Sequence, residues 1–144
     1  MASQLSKGEY QLLADFRYAL RRFLHFSEES ARAVGIEPRQ HQALLAIKGF
    51  PERERITIGE LAERLQIKHH SAVELAGRLV ANGLAARELD SADRRQVYLS
   101  LTEHGQDLLG QLSAAHREEL RRIVPELDTL LRGLSGEPDG ADHS

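Results

Sequence analysis

The residues best suited to contact a polyanion lie between Lys68 and Arg95. Lys68, His69, His70, Ser71, Glu74 and Arg78 recur at spacings that place them on the exposed side of a helix, with apolar residues turned the other way. Histidine and serine hydrogen-bond base edges or phosphate oxygens. Glutamate accepts from cytosine N4, and arginine suits phosphate or guanine. Arg87 follows, and then the run Asp90-Ser91-Ala92-Asp93-Arg94-Arg95. In that run Arg95 is expected at the tip of a turn, where a guanidinium enters a narrow, negative minor groove. Asp93 would hold it extended through a charge-assisted pair, and Arg94 would reach phosphate. The plainer alternative is a solvated helix face and a charged turn, whose Asp93–Arg95 pair is worth at most ~1 kcal/mol.

Other chemistry finds less support. The chain has no cysteine, which removes disulfides, thiolate metal sites and thiol-based redox sensing. Adjacent His69 and His70 would splay by about 100° on a helix and chelate poorly, and no HExxH spacing occurs, so no metal site and no cofactor are expected. No nucleophile–base–acid set and no phosphate-binding loop is present, so the sequence does not read as an enzyme.

Two helices and a hairpin must position the polar set. Thr57-Ile58-Gly59-Glu60 is a capping box, with each end of the motif closing the other's free amide. A short helix over Ile58–Leu65 follows, then the turn Gln66-Ile67-Lys68, then a helix from His69 to about Asn82 that ends at Gly83. The second helix is expected to pack Ala72, Val73, Ala76, Leu79 and Val80 inward. Two short helices about a three-residue turn form a helix-turn-helix. After Gly83 the period changes to two, predicting strands over Leu84–Leu89 and Gln96–Leu101 with the charged run as their link. A hairpin behind a helix-turn-helix is a wing, and the order of elements carries the reading.

Long amphipathic helices flank this unit. One runs from Leu12 to Val34 and is closed by Gly35. A second opens at Glu37-Pro38, and Pro51 to Arg55 reads as a polar connector. Beyond Thr102, which caps the next helix, Leu109, Leu112, His116, Leu120 and Ile123 form a stripe. Pro125 is expected to start a separate final helix. The terminal stripes exceed what one small core needs, which predicts burial across a two-fold axis. The expectation is one domain over 1–144, mainly α with a small β-hairpin wing. Dimerisation helices would span about 5–34 and 103–134, the winged helix-turn-helix about 37–101, and a disordered tail 135–144.

The net charge of the 144-residue chain is −3, yet residues 64–95 hold six Lys/Arg against four Asp/Glu, a local excess of +2. No apolar run approaches the ~20 residues of a membrane span, and the N-terminus lacks the build of a signal peptide, so a cytoplasmic location is expected.

Four segments resemble the MarR family of bacterial transcriptional regulators. They are Gly35-Ile36-Glu37-Pro38-Arg39-Gln40-His41, Ile58-Gly59-Glu60-Leu61-Ala62-Glu63-Arg64-Leu65, the wing with its Asp-x-Arg at Asp93 and Arg95, and Leu101-Thr102-Glu103-His104-Gly105. The resemblance covers about Leu12 to Leu134. It implies a homodimer whose winged helices read a palindromic operator in double-stranded DNA, as a repressor released by a small-molecule ligand. The chain departs from the family at Lys68-His69-His70, where a serine or similar small residue is usual, so its recognition helix starts without a side-chain cap. In the family, effectors bind between the dimerisation helices and the DNA-reading lobe. Phe16, Phe23, His25, Phe26 and His41 are the matching candidates here, suited to an aromatic or phenolic ligand, although phenylalanine at helical spacing also reads as core. The alternative function is a winged-helix module that binds protein without specific DNA binding. It would call for an apolar recognition face, and this one is polar.

Overall fold

The computed structural model describes residues 4–136. Its elements are α1 (Lys7–Ala33), α2 (Pro38–Lys48), β1 (Arg55–Thr57), α3 (Ile58–Leu65), α4 (His69–Ala81), β2 (Ala85–Leu89), β3 (Val97–Leu101) and α5 (Glu103–Ser135). They form two compact units, Glu28–Ala114 and the two ends of the chain, described over 4–27 and 115–136.

The central unit is built around α2, α3, α4 and the sheet. Pro38 opens α2 at the position where a missing amide costs nothing. The side chain of Gln40 accepts the Glu37 amide at 2.9 Å. The capping box of α3 forms as the sequence predicts: Thr57 Oγ1 accepts the Glu60 amide at 3.1 Å, and Glu60 Oε1 accepts the Thr57 amide at 2.9 Å. Leu44, Ile47, Ile56, Leu61, Leu79, Leu84 and Leu99 are the large, fully buried side chains of its core. Burying a residue of this size stabilises the fold by about 1.5–3 kcal/mol, so this layer holds α3 and α4 together.

Two expectations are corrected in this unit. Pro51 to Arg55 is not only a connector: Arg55–Thr57 forms a third strand, giving an antiparallel sheet of order β1-β3-β2. Ile56 pairs with Leu99, and Arg87 pairs with Leu99 from the other side. Three residues are too few for a period of two to register, and Ile56 alone among them is buried. In α4, Leu75 is buried and Val73 is 47% exposed, the reverse of the expected packing of Val73. Leu75 falls between Ala72 and Leu79 on the buried side at three- and four-residue steps, whereas Val73 falls beyond its edge.

The hairpin is joined to α5 by a tight crossing. Gly83 takes a positive φ of 71° and ends α4. Thr102 then donates its amide to Leu84 O at 3.1 Å, and its hydroxyl accepts the Gly105 amide at 3.0 Å. A Cβ on Gly105 would stand 2.1 Å from Leu84 O, so only glycine fits at this approach.

In the terminal unit Ala19, Ile123 and Leu130 are buried. The expectation of a separate helix from Pro125 is corrected: α5 runs through Pro125 to Ser135. Ile123, Leu127 and Leu130 keep one phase across the proline, so the packing that holds the helix on both sides outweighs one missing intrahelical hydrogen bond. Thr129 Oγ1 donates to Pro125 O at 3.0 Å. Of the expected disordered tail, Ser135 is helical and 137–144 lie outside the described residues.

Candidate nucleic-acid interface

α4 follows α3 after a turn in which Gln66 is left-handed, with φ 54°. The N-cap of α4 is Lys68, with no side-chain hydrogen bond to the first turn, so its free amides stay available to a polar ligand. Lys68, His69, His70, Glu74 and Arg78 are exposed, and Ser71 is half-buried. Arg78 does not stand free, because its Nη1 lies 3.1 Å from Glu37 Oε2, joining α4 to the start of α2. Both partners are exposed, so the pair adds little stability and can open.

The wing is organised from within. Asp90 Oδ1 accepts the Ala92 amide at 3.0 Å, and Asp93 Oδ1 accepts the Arg95 amide at 3.0 Å. The Gln96 amide closes onto Asp93 O, and the Asp90 amide onto Gln96 O, each at 3.0 Å. Asp93 Oδ1 also receives Arg95 Nε at 3.2 Å, while the Arg95 side chain is 93% exposed. One carboxylate thus pins both backbone and side chain of an arginine that touches little else. Arg94 is exposed as well. On β2 Arg87 is exposed, and its Nη2 lies 4.0 Å from where a Cβ on Gly77 would stand, so it reaches the α4 surface. The carboxylate of the next residue, Glu88, accepts the Ser100 hydroxyl at 2.8 Å across the hairpin.

An arginine cluster that sequence reading missed supports the start of α3. Arg53 is hydrogen-bonded to Glu60 and lies over the Phe50 ring at 4.6 Å and the Tyr98 ring at 5.2 Å. Arg55 lies over Tyr98 at 4.0 Å. Burial pushes the Glu60 carboxyl up, but the amide and hydroxyl of Thr57 and the Arg53 guanidinium outweigh it. The group is held below the usual glutamate value. The spacing of Phe50, Arg53 and Tyr98 carries no local signal, because Tyr98 reaches them through the β1–β3 pairing.

The expected ligand residues are divided. Phe16, Phe23 and Phe26 are half-buried in the terminal unit, His25 is exposed on α1, and His41 is buried on α2 in the central unit. His116, in the sequence one member of the α5 stripe, gathers two of the phenylalanines. Its ring meets Phe23 edge-on at 5.8 Å and Phe26 at 5.4 Å, and its Nε2 lies 2.8 Å from Ser27 Oγ. Among the described residues no group of three or more His, Asp or Glu could hold a metal ion, and no helix is long and apolar enough to cross a membrane.

A helix-turn-helix with an uncapped, polar second helix and a wing presenting an arginine defines the class: a winged helix-turn-helix DNA-binding protein. The MarR family model matches residues 34–96. The repressor MdtR of Bacillus subtilis (strain 168) is 28% identical over 122 residues, covering 82% of this chain and 77% of that protein. The regulator YcgE of the same strain is 30% identical over 128 residues, covering 86% and 79%. A MarR family protein from Bacillus stearothermophilus superposes with a TM-score of 0.75 at 21% identity, over 93% of this chain and 95% of that one. The chain belongs to the MarR family and is a DNA-binding transcriptional regulator.

Proposed function

We propose that the protein is a homodimeric repressor that binds a palindromic operator through α4 and the wing. The pinned, 93%-exposed Arg95 carries this reading. An arginine held out at a hairpin tip by an aspartate has no packing role, and a narrow minor groove is the partner its charge and reach suit. Lys68, His69, His70, Ser71, Glu74 and Arg78 would face the major groove. Arg87 and Arg94 would lie on phosphates, with Asp93 as the positioning residue for Arg95. The repressing sense is supported by the 28%-identical repressor.

Dimerisation is supported by the surface of the terminal unit, which holds ten of the fourteen exposed large hydrophobic residues among the described residues, including Leu20, Leu24, Val124 and Leu131. Two heads on a two-fold axis read half-sites about 10 base pairs apart. Release by a small aromatic or phenolic ligand belongs to the same proposal. It is supported by Phe16, Phe23 and Phe26, of which two meet His116; an aromatic acid that raises the thermal midpoint and weakens DNA binding would establish it. Arg95→Ala tests the main claim. It is expected to weaken operator binding at least tenfold, or about 1.4 kcal/mol, with an unchanged thermal midpoint. Unchanged affinity at matched salt would remove the wing from the mechanism.

A further inference from the structure

Val73 differs in kind from the residues around it on α4. It is 47% exposed on a helix surface that also presents His69, His70, Glu74 and Arg78. Single exposed apolar residues are ordinary on a protein surface, so the position matters more than the exposure. Val73 stands one turn after His69 and one turn before Gly77 on the same strip of helix. Gly77 adds no side chain to that strip, and the Arg87 guanidinium comes within 4.0 Å of where its Cβ would be. A small apolar strip therefore lies between the imidazole at the helix start and a cation suited to phosphate.

The major groove offers one apolar group to such a surface, the thymine 5-methyl. Valine makes no hydrogen bond, and its branched Cβ holds one χ1 rotamer in a helix, so its methyl groups occupy a defined place. We propose that Val73 is a specificity-determining residue that packs on a thymine methyl at a fixed position of each half-site. The assignment rests on α4 being the DNA-reading helix.

A deoxyuridine scan tests it, since deoxyuridine keeps the pairing of thymidine and lacks only the methyl. Duplexes selected by the purified full-length protein are expected to hold a thymine at one invariant half-site position. Deoxyuridine there is expected to lower affinity about fourfold, the partition value of one buried methyl, and about sixteenfold in both half-sites. Val73→Ala is expected to bind the thymine and deoxyuridine duplexes equally, a coupling that a general loss of stability would not produce. Half-sites without an invariant thymine, deoxyuridine that changes nothing, or a penalty that persists in Val73→Ala would each overturn the assignment. The scan on the wild-type chain decides this without any variant. Failure to select any duplex would instead overturn the DNA reading on which it rests.

Discussion

Replacing Glu60 with glutamine removes one charge and leaves an oxygen that can still accept the Thr57 amide. Glu60 now serves two partners: that amide at 2.9 Å, and Arg53, stacked between Phe50 and Tyr98. The side chains of Arg53 and Glu60 are 30% and 27% exposed, so solvent screens the pair only in part. Charge-assisted hydrogen bonds exceed neutral ones by roughly 1 kcal/mol, which sets the expected cost of Glu60→Gln at about 1 kcal/mol. Glu60→Ala loses the cap as well and is expected to cost about 2 kcal/mol. For a chain of this length 1 kcal/mol lowers the thermal midpoint by about 3 °C. Because the carboxyl is held below its usual value in the folded state, its contribution is complete above the unfolded value of about 4.5. It is lost as pH falls through the lower folded value. Thermal unfolding at equal protein concentration, from pH 7 down to 3, is therefore expected to show a constant gap between wild type and Glu60→Gln until about pH 4.5. Below that the gap closes. A gap that is absent at pH 7, or constant through the acid range, would refute the reasoning.

Gly105→Ala and Gly110→Ala are expected to act in opposite directions within one helix. The first puts a Cβ 2.1 Å from Leu84 O and is expected to cost about 3 kcal/mol. The second meets nothing within 4 Å and is expected to stabilise by about 0.5–1 kcal/mol; urea unfolding measures both. Leu24→Asp and Leu131→Asp, at sites 53% and 51% exposed, are expected to yield monomers in sedimentation velocity at low micromolar concentration, and a persistent dimer would contradict the terminal-unit assignment. Affinity for the operator is expected to fall steeply with salt, and Arg94→Ala is expected to flatten the log–log slope by about 2, one phosphate lost per protomer.

Much of the reading head was legible because its signals are local. The Thr57–Glu60 capping box, the turn at Gln66, the stop at Gly83 and the Asp93–Arg95 pair each act within a few residues, and each forms as its spacing implies. What escaped depends on pairing between distant segments. β1 exists because Ile56 has Leu99 to pair with, and Arg53 finds Tyr98 only through that register. Arg78 reads as a free cation in the sequence, and its ion pair with Glu37 spans forty-one positions. The outward turn of Val73 is itself a local signal, since Ala72, Leu75 and Leu79 share the buried phase of α4 and leave Val73 off it. Pro125 misled for a different reason: proline is a strong local stop, and the unbroken phase of Ile123, Leu127 and Leu130 outweighed it.

Selection of duplexes from a random pool by the purified full-length protein tests the central claim most directly. The account predicts enrichment of an inverted repeat with half-site centres about 10 base pairs apart, bound by the wild type and at least tenfold more weakly by Arg95→Ala at the same salt. No enrichment, or an enriched site bound equally well without Arg95, would contradict it.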